Sequence, residues 1–234
     1  MSLPDQIMTP LMKACVEKNT KLALELLEQG PDACQLSAKS YPNFELTALK
    51  IACSHKLEKV ALKMLEFGAE ANALDSIDST ESTALIYAID FNLPRVVERI
   101  LEFCPDENGL YEQDCEGRTA LMHCCIKRYT KLAKKILSFG PTACLLNETD
   151  ADNNMTALMF ACRNGLEELA LNFLEFGAKS NSINEEDTDN NYTAMMFAKK
   201  KKLNKVIAKI EEVLANENIE PKEQLEYTDN GIMI

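Results

Sequence analysis

The chain has 234 residues, 46% of them hydrophobic and 26% charged, and 37 acidic against 25 basic side chains give a formal net charge of −12. That balance argues against nucleic acid as a partner, since phosphates demand cations, and no apolar run approaches the ~20 residues of a membrane helix. Nine cysteines behind a start, MSLPDQIMTPLMKAC, that has no basic and apolar leader pattern lead to the expectation of a reducing compartment, the cytoplasm with the nucleus as alternative.

Threonine recurs at Thr9, Thr47, Thr83, Thr119, Thr156 and Thr193, each opening a variant of one phrase: TPLMKAC, TALKIAC, TALIYAI, TALMHCC, TALMFAC and TAMMFAK. The spacings are 38, 36, 36, 37 and 37 residues, a fixed period that signals stacked supersecondary units. In the second unit Thr47 is placed to cap a short helix, on which Leu49, Ala52 and Cys53 fall on one side. After a break at Lys56, Leu57, Val60, Ala61, Met64 and Leu65 make the stripe of a second, half-buried helix, stopped by Gly68. The stripe recurs as Leu93, Val96, Val97, Ile100, Leu101 and as Leu166, Leu169, Ala170, Phe173, Leu174, and the stop as Gly30, Gly140 and Gly177. Helices of about ten residues are too short to stand alone in water. Each unit must therefore be covered by the next, and the expected fold is all-α, an α-solenoid of helix-turn-helix repeats joined by loops.

These residues resemble the ankyrin repeat family, whose T-P-L-H-x-A helix start, second helix and Gly-Ala ending before a β-turn finger are matched over about residues 8 to 215. Asp114, Gly117, Thr119, Ala120 and Leu121 carry the likeness between repeats, Arg163, Asn164, Gly165 and Leu166 carry it between helices, and Gly68-Ala69 and Gly177-Ala178 with Asn72 and Asn181 carry the ending. Departures are equally regular. The period exceeds the family's ~33 residues, which lengthens the fingers. The family histidine is replaced by Met12, Lys50, Ile86, Met122, Met159 and Met196, so no Thr–His bond is available there. The end repeats are polar where neighbours are apolar, at Asn19, Gln29, Lys199 and Glu211, as capping units should be. The expected domain is 1–215, with 216–234 a tail lacking helical periodicity, for the most part disordered.

Chemistry finds little support. Cys15, Cys53, Cys125 and Cys162 share one slot, six residues after each threonine. Helices pack ~8–10 Å apart and a disulfide needs α-carbons within ~7 Å, so the column reads as small core residues. No C-x-x-C pair suggests zinc. His55 and His123 lie two repeats apart, and the motifs G-x-x-x-x-G-K-[ST], G-x-G-x-x-G and H-E-x-x-H are missing. No catalytic residue, metal or cofactor is expected.

Charge says more. The five fingers, 31–46, 69–82, 105–118, 141–155 and 178–192, hold 18 acidic residues against Lys39, Arg118 and Lys179, a net of −15, while the rest of the chain sums to +3. Such an acidic edge steers a basic partner, or is merely a set of solvated loops. Two lysine-rich stretches, Lys127 to Lys135 and Lys199 to Lys209, suggest a second, basic face or a solvated helix surface. Phe67, Phe103, Phe139 and Phe176 form a ladder expected to pack under the fingers.

The resemblance implies that a partner protein or peptide is gripped by finger tips and by residues late in the first helices. Here these are Phe44, Leu46, Arg118, Met155 and Tyr192 on fingers, and Ser54, His55, Asp90, Phe91, Ile126, Lys127, Arg163, Asn164 and Lys200 on or just after helices, to which the acidic-finger reading adds Asp114 and Glu116. Phe91, Ile126 and Tyr192 are the expected anchors. The reading is a noncatalytic, monomeric adaptor, scaffold or competitive inhibitor. A cysteine-based metal or redox protein and a self-associating structural module stand as its alternatives.

Overall fold

A computed structural model describes residues 8–41, 45–103 and 108–222; Phe44 and tail residues 223–234 lie outside the described set. In chain order the helices are α1 (Pro10–Val16), α2 (Thr20–Leu27), α3 (Pro31–Cys34), α4 (Ala48–Ser54), α5 (Glu58–Leu65), α6 (Ala69–Asn72), α7 (Ala84–Asp90), α8 (Pro94–Ile100), α9 (Ala120–Lys127), α10 (Thr130–Leu137), α11 (Ala157–Arg163), α12 (Glu167–Leu174), α13 (Gly177–Ser180), α14 (Ala194–Lys201) and α15 (Asn204–Asn216). The single turns α3, α6 and α13 aside, they form six pairs, each opening one residue after one of the six threonines.

Every one of those threonines caps its helix. The hydroxyl accepts the N–H three residues on: Thr9 from Met12 and Thr119 from Met122 at 3.2 Å, Thr47 from Lys50 and Thr83 from Ile86 at 3.4 Å, Thr156 from Met159 at 3.2 Å and Thr193 from Met196 at 3.4 Å. One orphan donor per helix is thus satisfied. The second helices start differently. Leu57, Leu93, Leu166 and Leu203 precede them with no side-chain cap. The first repeat instead places the polar Asn19 there, and its Oδ1 accepts the Leu22 N–H at 3.1 Å.

The chain divides into two compact units between His123 and Cys124, within α9. In the first, α4 packs on α1 and α7, and α5 on α2 and α8; in the second, α11 packs on α14 and α12 on α10 and α15. The two rows are buried unequally. Six of the seven residues of α4 and of α11 are buried, more than the one-sided helix expected from Leu49, Ala52 and Cys53. The second helix α5 buries only Val60, Ala61, Met64 and Leu65 of its eight residues. First helices are therefore the core, and second helices screen it with an apolar stripe.

The fingers open with more order than expected. α3, α6 and α13 are helical turns held to the free carbonyls of the preceding helix by a column of buried side chains. Asn72 Nδ2 donates to Met64 O at 2.8 Å and Gly68 O at 2.7 Å, and Asn181 Nδ2 to Phe173 O and Gly177 O at 2.7 Å. Cys34 and Cys144 fill the same column with thiols 3.0 Å from Leu26 O and Ile136 O, and Asn108 Nδ2 donates to Phe103 O at 3.2 Å. At the far end Leu214 stands in the slot of Gly68 and Gly177, so α15 runs on for 13 residues where α12 has eight. Lys199 and Glu211 are exposed there.

Candidate partner-binding surface

Each finger is built around one buried polar side chain five to seven residues before the threonine: Ser40, Asp78, Asp114, Asp150 and Asp187. Its oxygen gathers main-chain N–H groups of the finger. Ser40 Oγ accepts from Leu46 at 3.0 Å; Asp78 Oδ1 from Thr80 at 2.8 Å and Ser82 at 3.3 Å; Asp114 Oδ1 from Glu116 at 3.0 Å and Arg118 at 2.9 Å. Asp150 Oδ1 accepts from Met155 and Asp187 Oδ1 from Tyr192, both at 2.6 Å. These carboxylates do the work of Asx turns: four of the 18 finger acids define loop shape. Twelve of the others are at least partly exposed, and Asp106 and Glu107 lie outside the described residues.

Two of these aspartates meet cations. Lys50, on the core helix α4, has a fully buried side chain whose Nζ stands 3.6 Å from Asp78 Oδ2. Burial pushes the Lys50 pKa down to about 8, an effect only partly offset by the attraction of Asp78. Burial alone would raise Asp78, but the hydroxyl and N–H of Thr80, Lys50 and the Ser82 N–H together hold it below the usual range. Burial first, then the nearby charge of Asp78, raises the phenol of Tyr87 on α7. His123 occupies the same slot in the next repeat, four residues after the threonine. Its Nε2 lies 2.8 Å from Asp114 Oδ2 and its Nδ1 2.9 Å from Asp90 Oδ1. Two carboxylates can both be satisfied only by a ring that donates from both nitrogens, the imidazolium. Burial would lower its pKa, but the hydrogen bonds and charges of Asp114 and Asp90 outweigh that and lift it to about 8.

The residues expected to touch a partner fall into local groups. In the first unit Asp90 and Asp114 are brought together by His123, Arg118 pairs with Glu116, and Phe91 stacks on Tyr87 with ring centroids 6.1 Å apart. Leu46, Ser54 and His55 are half-buried, and the Ser54 hydroxyl donates to Ile51 O at 2.9 Å. In the second unit Tyr192 packs edge-on against Phe197 at 5.5 Å, and Lys200 Nζ stands 5.2 Å over its ring. Arg163 and Lys127 are exposed, Ile126 is half-buried, and Asn164 Nδ2 donates to Cys125 O at 3.1 Å. Met155 and Asp114 are buried, at 0% and 7% exposure, so in this conformation they shape the surface from beneath. Phe44 lies outside the described residues. The Asp90–His123–Asp114 cluster and the Lys50–Asp78 pair lie outside what the sequence motifs single out. The recurring aspartate ahead of four threonines was the signal that announced both.

The cysteine column packs as core. Cys15, Cys53, Cys125 and Cys162 are all 0% exposed. Burial pushes the thiols of Cys15, Cys53 and Cys162 up to about 12, and that of Cys125 well above its usual value, which keeps them protonated. Among the described residues, no group of three or more His, Cys, Asp or Glu is placed to hold a metal ion. No described helix is long and apolar enough to cross a membrane. The phenylalanine ladder is half-buried, with Arg99 5.0 Å over the Phe103 ring. On the second helices acids of the neighbouring repeat answer the lysines: Lys134 pairs with Glu168, and Lys205 and Lys209 stand 4.0 Å from Glu167 and Glu175.

A profile of ankyrin repeats in three copies matches residues 61–144. No curated protein matches the sequence. Solved structures with the same fold include the ankyrin repeat domain of Bcl-3, a member of the IkappaB protein family, with 20% identity and a TM-score of 0.64 over 88% of this chain and 86% of that one. An ankyrin repeat domain from Acinetobacter baumannii AYE matches with 17% identity and a TM-score of 0.66 over 87% and 97% of the two chains. A chain from the complex of the Bd0816 predatory endopeptidase of Bdellovibrio bacteriovorus with immunity protein Bd3460 matches with 18% identity and a TM-score of 0.63 over 86% and 96%. Residues 61–144 thus belong to the ankyrin repeat family, and the chain on either side of them shares its all-helical solenoid fold.

Proposed function

We propose that the chain is a noncatalytic protein-binding module, an adaptor, scaffold or competitive inhibitor whose domain 1–215 takes a basic protein or peptide against its fingers and the ends of its first helices. The fold supports the coarser part, since ankyrin repeat domains are interaction modules and one structural neighbour comes from a complex with an immunity protein. The observation that carries the finer part is the split among finger acids. Four are consumed inside the loops, and twelve remain at least partly exposed, among them Glu45, Asp75, Glu81 and Glu112. A row of solvated carboxylates over apolar supports raises the local concentration of cationic ligands. The groups expected at the interface are Phe91, Ile126 and Tyr192 as anchors, with Leu46, His55, Glu116 and Arg163 beside them. The working unit is a monomer in the cytoplasm or nucleus.

The test is capture of partners on the immobilised chain, identification by mass spectrometry, and affinity measured across a salt series. A basic partner is expected, with affinity falling as salt rises and collapsing on Asp75→Lys, Glu81→Lys and Glu112→Lys combined. Those sites are chosen over Asp114, whose reversal would break the finger itself. An affinity indifferent both to salt and to the triple reversal refutes the acidic-finger reading. Sedimentation at several concentrations separates the monomer from a self-associating module.

A further inference from the structure

Residues 217–222 return along the fifth finger and are held there by its side chains. Asn184 Nδ2 donates to Glu220 O at 2.8 Å, and Asn184 Oδ1 accepts the Lys222 N–H at 3.3 Å. One amide side chain therefore reads the carbonyl of one residue and the N–H of the next but one. The residue it spans is Pro221, which has no N–H to leave unsatisfied and fixes its own φ, while a residue before proline is driven to extended backbone. Glu186 Oε1 lies 3.7 Å from Lys222 Nζ, completing the contact with a charge. Upstream, Glu217 Oε1 accepts the Ala178 N–H at 2.7 Å and anchors the segment.

The same finger is stitched to the one before it. Ser182 Oγ donates to Asn147 O at 3.0 Å, the Thr188 N–H to Asn153 O at 2.9 Å, and Asn154 Nδ2 to Glu186 O at 2.9 Å. On its other edge, Asn184 and Glu186 meet residues 220–222.

We propose that this edge of the fifth finger is a binding site for an extended x-Pro-Lys segment, filled in cis by residues 220–222 and open to the same chemistry on a partner when the tail is displaced. Both clamp bonds and the ion pair are exposed. Exposed hydrogen bonds and surface ion pairs each add little net stability, so the hold is exchangeable. What keeps the tail in place is its tether, whose effective concentration is on the order of millimolar. The inference is independent of the acidic-finger reading: it concerns one edge and one backbone motif, and it survives if Asp75, Glu81 and Glu112 prove irrelevant.

The test uses the full chain, labelled with 15N, and its Lys222→Pro variant, which removes the donated N–H and the cation while leaving Asn184 and Glu217 in place. The probe is a capped peptide of residues 218–223, Asn-Ile-Glu-Pro-Lys-Glu. Lys222 is exposed, and the variant is expected to melt as the unaltered chain does. The peptide should shift the Asn184 side-chain amide and the signals of residues 182–187 saturably in the variant, at about ten-fold or more lower concentration than in the unaltered chain. Adding Asn184→Ala should abolish the response. Equal response of both chains, a response that survives Asn184→Ala, or no saturable response at all overturns the proposal, the last by reducing the contact to a seal on the end of the fold.

Discussion

The second and third fingers place an aspartate in the same slot and surround it in opposite ways. Lys50 Nζ and Asp78 Oδ2 face each other at 3.6 Å, and neither atom has a hydrogen-bond partner among the described residues. The other oxygen of Asp78 is well served by Thr80 and Ser82. In the third finger the cation is the hub: His123 gives one N–H to each of two carboxylates. The same attraction of opposite charges is thus anchored on the anion in one finger and on the cation in the next. Which residue matters most follows from where the hydrogen bonds converge, because the buried group that loses its partners bears the cost.

The sharpest way to break that comparison is to remove each end of the Lys50–Asp78 pair in turn. Asp78→Ala strips the finger of its acceptor and leaves a buried ammonium unpaired, with an expected loss of about 3–5 kcal/mol in urea unfolding. Lys50→Met removes the poorly served cation and leaves Asp78 with its donors. Its cost is expected to stay within about 1.5 kcal/mol. Equal losses would mean that Coulomb attraction, not hydrogen bonding, decides.

His123 predicts the reverse, since its removal takes one donor from each of two carboxylates, Asp90 and Asp114. His123→Gln should cost about 1–3 kcal/mol at pH 6. The pH dependence has a definite sign. With the folded pKa raised to about 8 from an ordinary 6.5, the stabilisation is fully present below pH 6.5 and is lost as pH rises through 8, about 2 kcal/mol in all. Lys50 acts oppositely. Its folded pKa is depressed to about 8 from 10.5, so the cost of burying its charge is relieved as pH climbs from 8 towards 10.5. Unfolding free energies from pH 6 to 8 should therefore fall in the unaltered chain and stay flatter in His123→Gln. A slope untouched by that substitution would remove His123 as its cause.

A smaller effect tests the register. Thr156→Ala deletes one of six equivalent caps and should cost about 1 kcal/mol, measured by thermal or urea unfolding. A neutral result would show that packing alone sets the start of α11. The threonines made this much of the fold readable, because a cap, a stripe and a stop each demand particular residue types at particular places. What stayed hidden was local. α3, α6 and α13 are four-residue turns, too short to show a period. Asp78, Asp114, Asp150 and Asp187 were counted with the surface charge because net charge discards position, although the same register that aligned Cys53 with Cys125 aligns them. Lys50 stood out only as a departure from the family's histidine, and burial of a lysine on a core helix is visible only once its neighbours are in place. Of the expected contact residues, Tyr192 and Lys200 do meet, while Asp90 and Asp114 meet through a histidine that had been set aside as too far from His55.

The smallest effect separates backbone strain from packing. The two helices of each pair are joined through a left-handed residue, Lys18, Lys56, Asn92, Arg128, Gly165 or Lys202, with φ between 55° and 69°. Gly165 carries no Cβ penalty in that region, and a Cβ added to it would meet nothing within 4 Å. Gly165→Ala therefore changes conformational energy without a clash, and should cost about 1 kcal/mol. Arg128→Gly relieves the same strain one repeat earlier but gives the unfolded chain more freedom. The two terms nearly cancel, leaving a gain of about 0.5 kcal/mol or less. If Arg128→Gly instead destabilises by as much as Gly165→Ala, the arginine side chain, and not the turn, is what that position contributes.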